Sequence, residues 1–239
     1  MRLLDLTLPT PAENLALDEA LVEEADRAVQ PFEALRLWEP LEPMVVVGRS
    51  SRIAVEVHVD ACRTLGVPVL RRSSGGAAVV TGPGCLMYAL VLSYQLRPIL
   101  RSIEHAHRFV LDTIAAALRP LAPGVRCRGT SDLALGQRKF SGNSVRCKRQ
   151  HLLYHGTLLY DFPLDLIGRC LAMPARQPEY RHARGHDAFV ANLPLSAAAI
   201  REALARTWDA AEPYRDWPRE QTARLVEERY SRPEWNEKG

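Results

Sequence analysis

Side chains able to do chemistry gather in this chain where cations stand beside glycines and other small residues. The run Arg71-Arg72-Ser73-Ser74-Gly75-Gly76-Ala77-Ala78-Val79-Val80 brings two guanidiniums up to a glycine pair. Glycine lets backbone N–H groups approach a ligand closely, and a guanidinium offers a rigid fork of donors for phosphate or carboxylate. The run reads as an anion site, with an ordinary Ser-Gly-Gly turn as the competing reading. A second gathering is Asp132-Leu133-Ala134-Leu135, Gly136-Gln137, Arg138-Lys139-Phe140-Ser141, where Gly-x between alternating runs signals a two-residue hairpin. Pairing Leu135 with Arg138 sets Ala134 opposite Lys139 and Asp132 opposite Ser141, so the Asp132 carboxylate and the Lys139 ammonium project from one side as diagonal neighbours. The plain alternative is an exposed cross-strand ion pair worth about 0–1 kcal/mol. His155, before Gly156 in a strand-like run, is placed either to meet a ligand or to sit as a satisfied core group. Residues 174–189 are irregular and cationic, with Arg176, Arg181, His182, Arg184 and His186; they read as a loop that meets anions or as solvated surface, and lack the company that zinc needs.

Periodicity supplies the elements that must hold these groups. Residues 3–8 form a first strand, and Thr10-Pro11-Ala12-Glu13 is a capping box with proline at the first helical position. The helix it opens runs to about residue 25, with Leu17, Ala20, Leu21 and Ala25 inward and Asp18, Glu19, Glu23 and Glu24 solvating the rest. Strands at 35–38 and 44–48 and a short helix at 60–66 lead to the strand before the glycine run. After it come a central strand at 85–92 and a long helix from about residue 102 whose inner face takes Ile103, Ala106, Val110, Ile114, Ala117, Leu118 and Leu121. His105 and His107 fall on its charged side and read as solvated. Arg146, Lys148 and Arg149 make a basic loop, also read as solvated, before a strand at 151–160. Amphipathic helices at 196–208 and 218–230 read as a helical flank.

The totals exclude several classes. At 239 residues, 47% hydrophobic and 25% charged, the chain reads as one globular domain with appendages. No apolar run has transmembrane length, and Met1-Arg2-Leu3-Leu4-Asp5 does not open a signal peptide, so the expected location is cytoplasmic, with no membrane partner. Five cysteines, Cys62, Cys85, Cys127, Cys147 and Cys170, are odd in number and widely spaced, which argues for reduced thiols over a disulfide framework or a zinc site. A formal charge of +3, without aromatics among the basic residues, does not point to nucleic acid.

Three blocks in order resemble one family: the Arg71 to Val79 run; Ser131-Asp132-Leu133 with Lys139-Phe140-Ser141-Gly142-Asn143-Ser144; and His155-Gly156-Thr157-Leu158-Leu159. Together they resemble the lipoate-protein ligase A and biotin ligase superfamily, and Leu15 to Leu21, Leu37-Trp38 and Gly48-Arg49 look like its earlier motifs. The resemblance covers about residues 3–195. It implies an α+β catalytic domain with a mixed, mostly antiparallel sheet flanked by helices; the helical flank at 196–232 is expected to leave no room for the separate accessory C-terminal domain of the fuller ligases. It implies ATP and magnesium as cofactors, lipoate or octanoate as substrate, and a lysine of a lipoyl domain or of a glycine-cleavage H-type protein as acceptor.

By position, the resemblance gives Arg72 to the carboxylate or phosphate, Gly75, Gly76 and Ala77 to the acyl group, and Ser74 to the substrate or adenylate. Asp132 falls at the nucleotide and Mg, Lys139 at the acyl carbonyl oxygen and phosphate, and Gly142, His155 and Thr157 along the pocket. The sequence departs from the family pattern at Ala77, Thr81-Gly82, Cys85, Ser131 and Ser51, mostly on the nucleotide side. Three functions follow as alternatives. The first is an ATP-dependent lipoate or octanoate ligase, with or without a separate accessory chain. The second is an ATP-independent octanoyltransferase that draws on acyl carrier protein through a cysteine thioester, for which Cys127, between Arg126 and Arg128, is the candidate and Cys85 the second. The third is a non-catalytic binder of an acylated or acidic partner.

Overall fold

The computed structural model describes residues 1–238. Strand β1 (Arg2–Asp5) is followed by helix α1 (Pro11–Arg27), and the capping box forms as expected: Thr10 Oγ1 accepts the Glu13 N–H at 3.2 Å while the Glu13 carboxylate accepts the Thr10 N–H at 2.8 Å. Next come β2 (Ala34–Trp38), β3 (Met44–Val47), α2 (Ile53–Glu56) and α3 (Val59–Leu65). Strands β4 (Val69–Arg71) and β5 (Val79–Thr81) flank the glycine run, and β6 (Cys85–Ser93) leads to α4 (Ile103–Leu118). A four-strand meander follows as β7 (Val125–Arg128), β8 (Asp132–Leu135), β9 (Arg138–Cys147) and β10 (His151–Leu159). The remainder is α5 (Asp165–Cys170), α6 (His186–Phe189), α7 (Ala197–Thr207), β11 (Glu212–Pro213), α8 (Arg219–Leu225) and α9 (Pro233–Asn236).

Uninterrupted apolar runs take the middle of the sheet because only there are both faces covered. The main sheet has the order β11-β1-β2-β6-β10-β9-β8-β7, and β6 and β10 are buried at every residue. β1 runs parallel to β2 and β11 while the other pairs are antiparallel, so the architecture is α+β with a mixed, mostly antiparallel sheet. A small sheet, β4-β3-β5, carries the glycine run between its edge strands. Side-chain parity then sorts the layers. Leu86, Tyr88, Leu90 and Leu92 of β6 pack with Tyr154 and Leu158 of β10 toward α4 and α7. Ala89 and Val91 with Leu153 face α1, and Met87 with Leu159 faces the small sheet. His155 and Thr157 share the parity of Leu153 and Leu159, which places the chemistry between the main sheet, α1 and the small sheet.

Several expectations are corrected by burial. Asp18 and Glu19, read as solvating residues, are 3% and 0% exposed. Glu19 accepts from Arg146 Nη1 at 2.5 Å, from Tyr230 OH at 2.6 Å and from Arg229, and Glu23 accepts from Lys148 Nζ at 3.1 Å. Arg146 and Lys148 are thus ion-pair partners for α1, while the Arg149 side chain is exposed as expected. Ile103 and Leu121, assigned to the inner face of the long helix, are 53% and 43% exposed. His107 is half-buried with Nδ1 at 2.9 Å from Tyr154 OH. The flank is not only helical, because β11 adds an edge strand beside β1. The hairpin keeps Leu135 opposite Arg138 and Ala134 opposite Lys139, but a bulge shifts the rest, so Asp132 faces Gly142 and not Ser141. The extra residue is Phe140, fully buried in the core on the α4 side. Among the described residues no helix is long and apolar enough to cross a membrane.

Burial alone would raise the Glu19 carboxyl, but the Arg146 charge and the hydrogen bonds from Tyr230, Arg146 and Arg229 override it and hold Glu19 below its ordinary 4.5. Its contribution is fully present above the unfolded-state value and is lost as pH falls through the lower folded value. Glu19→Gln should therefore cost about 3 kcal/mol at neutral pH. In urea melts the gap to the unaltered protein should close on acidification; a gap of constant size would show that the Glu19 charge is not what holds these elements.

Candidate active site

Two cavities meet at one lysine. The larger, about 450 Å³, runs under the 174–190 segment and is lined by Ile167, Leu171 and Phe189 together with Glu56, Arg176, Arg181 and His186. The smaller, about 190 Å³, is closed by Leu15, Val46 and Met87 and reaches Asp18, Arg72 and His155. Lys139, Ser131, Gly142 and Thr157 line both. Lys139 Nζ sits 2.6 Å from Asp132 Oδ1, and Tyr180 OH donates to Asp132 Oδ2 at 2.8 Å. The Asp132 side chain is only 9% exposed and the Lys139 side chain 27%, so this pair is no solvated surface bridge. The 174–190 segment is anchored directly on it: Tyr180 reaches Asp132, and the Ala191 N–H donates to the Lys139 carbonyl at 2.9 Å.

Close approaches fix the floor. A Cβ at Gly142 would stand 2.9 Å from Lys139 Nζ, and one at Gly156 would stand 1.9 Å from Asn143 Oδ1. Asn143 donates to the Ser131 carbonyl at 2.8 Å and accepts from Tyr88 OH at 2.5 Å, pinning the turn before Asp132 to the central strand. Gly142 N–H donates to Thr157 Oγ1 at 3.3 Å.

The two arginines of the glycine run divide their work. Arg71 is fully buried and turns away from the cavities: its Nη1 donates to the carbonyls of Gly48 at 2.7 Å and Ser51 at 2.8 Å, and its Nε to Trp235 O at 3.0 Å. Its own N–H and C=O are taken by Asn236 Oδ1 and Trp235 Nε1. Arg72 lines the smaller cavity but is committed to its own loop, with Nη1 on Val46 O at 3.0 Å and Nη2 on the carbonyls of Gly75 at 2.5 Å and Ala77 at 3.0 Å. Burial pulls its guanidinium down to about 10 against the attraction of Glu56, so it stays charged at neutral pH. Ser144 Oγ adds a bond to Gly75 O at 2.9 Å, and Glu56 accepts the Ala78 N–H at 2.7 Å.

The sequence-predicted residues thus divide. Lys139, Asp132, Gly142, Thr157, His155, Arg72, Gly76 and Ala77 line one or both cavities, whereas Ser74 and Gly75 stand behind the wall as hydrogen-bond partners of Arg72. Cys127 is a correction. It pairs with Leu133, whose side lies against α4 and away from Asp132, and its thiol contacts Asp112 at 3.3 Å. Burial and that carboxylate push the thiol up to about 12, the reverse of what a nucleophile needs. Cys85 is fully buried outside both cavities, and burial pushes it likewise up to about 12. The Mg expectation does not fit a preformed site either. Both Asp132 oxygens are occupied by Lys139 and Tyr180, and no cluster of three acidic, histidine or cysteine residues exists among the described residues. Sequence reasoning missed Asp18, Glu56, Asn143 and Tyr180. Only Asn143 carried a local signal, as the one amide in the Ser-Gly-Asn-Ser run, which reads as a small-residue turn but lies within β9.

With this geometry in place, the comparisons with known proteins are specific. The model described as "Lipoyl protein ligase A/B catalytic domain" matches residues 10–208. A relative from Aeropyrum pernix, named for lipoate-protein ligase A, is 31% identical over 209 residues, covering 87% of this chain and 75% of its own. Octanoyltransferase LipM of Symbiobacterium thermophilum is 28% identical over 269 residues, covering 98% of this chain and 97% of LipM. Other ligase relatives are longer, and this chain spans only 42–53% of four of them. A structure of lipoate-protein ligase A bound with ATP is similar with a TM-score of 0.86 at 23% identity, over 99% of this chain and 98% of that one. The bi-partite lipoate protein ligase studied with its E2 lipoyl domain, from Thermoplasma acidophilum, gives 0.82 at 23% identity, over 99% and 95%. These two likenesses show a shared fold.

Gly156→Ala is expected to displace Asn143 and cost about 2–3 kcal/mol by overpacking, with faster amide exchange across residues 130–143. A variant with unchanged urea midpoint and exchange would show that the Asn143 contact does not fix the floor.

Proposed function

Because this chain belongs to the lipoyl protein ligase A/B catalytic-domain family and is an enzyme of the lipoyl ligase or transferase type, we propose that it activates lipoate or octanoate with ATP and passes the acyl group to a lysine of a lipoyl domain. The observation that carries this reading is the position of Lys139, the one lysine at the junction of a small, largely apolar chamber and a larger one rimmed by Arg176 and Arg181. The smaller chamber takes the acyl chain and the larger the nucleotide, so their reacting ends meet at the ammonium.

In the first half-reaction a carboxylate oxygen of the acid attacks the α-phosphorus, a P–O bond forms, and pyrophosphate leaves. In the second, the acceptor amine attacks the acyl carbonyl, the C–N bond forms, the C–O bond to AMP breaks, and the ammonium proton is lost. Negative charge builds on phosphoryl oxygen in one step and on carbonyl oxygen in the other. A fixed ammonium in a site shielded from water stabilises both. Asp132 and Tyr180 hold that ammonium in place, and Thr157 and Gly142 shape the wall beside it. Magnesium would arrive with the ATP phosphates, as is usual for this ion. The acceptor is a lipoyl domain or an H-type protein, and an accessory chain would act from outside the two chambers.

Octanoyl transfer from acyl carrier protein is the second reading, favoured by the near full-length match to LipM. It needs a nucleophile other than Cys127, whose thiol faces α4.

Intact mass of an apo lipoyl domain separates the two readings. One tube holds ATP, magnesium and lipoate or octanoate, and the other octanoyl-acyl carrier protein without ATP. Modification in the first tube alone is expected, and Lys139→Met should slow it about 100–1,000-fold. Modification in the second tube alone would replace the ligase reading with the transferase.

A further inference from the structure

His155 sits in a chain of buried hydrogen bonds that the acyl-transfer chemistry does not require. Its Nε2 lies 2.6 Å from Ser74 Oγ, and its Nδ1 lies 3.3 Å from Asp18 Oδ2. Beyond these, Asp18 Oδ1 accepts from Arg36 Nη1 at 2.6 Å, and Ser74 Oγ accepts from Arg72 Nε at 3.1 Å. Every member is buried: Asp18 3%, Arg36 0%, Arg72 8%, Ser74 2% and His155 8% exposed.

The donors order the chain in one direction. A carboxylate only accepts, so the hydrogen of the neutral His155 ring is placed on Nδ1 toward Asp18, and Ser74 Oγ, which takes the Arg72 N–H on one lone pair, directs its single hydrogen at Nε2. Nε2 is then an acceptor, the ring hydrogen is on Nδ1, and Nδ1 donates to the Asp18 carboxylate, whose charge Arg36 balances. The order of types is that of a serine hydrolase, but the surroundings assign another role. Ser74 does not line either cavity and its oxygen is held by Arg72, whereas Asp18, His155 and Arg72 do line the smaller one.

We propose that Asp18, His155 and Ser74 are positioning residues that, through Arg72, hold the Gly75–Ala77 wall of the smaller cavity and thereby set its affinity for the acyl chain. The proposal rests on the reading of that cavity as the acyl site. Ser74 fixes the plane of the Arg72 guanidinium at Nε. The same guanidinium then reaches the Gly75 and Ala77 carbonyls, and these in turn set Gly76 at a φ of 89°. A guanidinium that loses Ser74 keeps Val46 O at 3.0 Å and a longer Nε contact to Gly75 O at 3.2 Å, so its plane is less tightly fixed and its hold on those carbonyls loosens. Asp18→Asn keeps the size of the side chain but can offer an N–H to Nδ1, which moves the ring hydrogen to Nε2. Ser74 Oγ would then accept from both Arg72 and His155, and its own buried hydrogen would lose its acceptor.

The test begins on the free protein, where ¹⁵N NMR of the histidines reads the tautomer and amide exchange reads residues 73–78. Unaltered protein should show His155 with Nε2 unprotonated. Asp18→Asn should move the hydrogen and speed exchange in 73–78, and Ser74→Ala should speed it without moving the hydrogen. For acyl transfer, each variant should raise KM for the acid about 10-fold with kcat changed less than about 3-fold, and the double variant should be no worse than either single one. A fluorophosphonate probe should leave Ser74 unlabelled. Additive effects, an unchanged loop and KM, or labelling of Ser74 would each overturn the proposal. Should Asp18→Asn fail to fold because Arg36 loses its counter-charge, Ser74→Ala and His155→Gln carry the same cycle. If the unaltered protein forms no acyl product in either donor tube while the tautomer and exchange shifts occur, the acyl reading fails and the positioning of the loop stands.

Discussion

Burying a guanidinium demands an acceptor for nearly all of its hydrogens, and this protein buries Arg71 and Arg72 in the glycine run and Arg36 behind the Asp18-His155-Ser74 chain that leads to it. The acceptors come from every layer of the fold. Arg36 takes Asp18 and Asn14 from α1 and the Leu6 carbonyl after β1. Arg71 takes the turn after β3 and the segment around α9, and Arg72 takes β3 and the glycine run itself. Satisfying three cations in this way leaves the loop little freedom. The cavity wall is therefore a by-product of hydrogen-bond accounting in the interior, and the elements that satisfy it, α1 and β3 among them, also line the cavity.

The same constraint explains why Lys139 differs from its neighbours. It is the one cation at the junction of the chambers whose head group is tied to a single carboxylate, Asp132, with part of its side chain still exposed. The arginines are structural members that frame the site, while the lysine remains available to it. That division agrees with a centre that must meet charge developing first on one ligand and then on another without rearranging its walls.

Local chemistry made part of this legible. The Gly136-Gln137 turn fixed the hairpin closely enough to put Asp132 and Lys139 on one side, because turn residues dictate register over short distances. The capping box located the start of α1 for the same reason. The bulge at Phe140 was not legible, since it answers to core packing that no neighbouring residue announces. Nor was the burial of Asp18 and Glu19: acidic residues on an amphipathic helix are ordinarily solvated, and their partners Arg146, Tyr230 and His155 lie far along the chain. Cys127 was misjudged because flanking arginines in sequence do not say which face of a strand a thiol takes, and here the pairing with Leu133 turns it to the core. Arg71 and Arg72 look equivalent as letters, yet adjacent strand positions point to opposite sides, and only the structure says which side holds the cavity.

The contact between Arg71 and the residues around α9 also bears on the order in which the molecule matures during synthesis. Arg71 and Trp235 lie 164 positions apart, so the strand that introduces the glycine run leaves the ribosome long before its partner exists. Until then the guanidinium has only carbonyls of the turn after β3, those of Gly48 and Ser51 among them, and its Nε and the Arg71 main chain keep their water. The main sheet, whose strands β6 to β10 follow one another closely in sequence, can assemble in that interval. The binding wall is thus among the last parts of the protein to set, which delays a competent site until nearly all of the described chain has emerged.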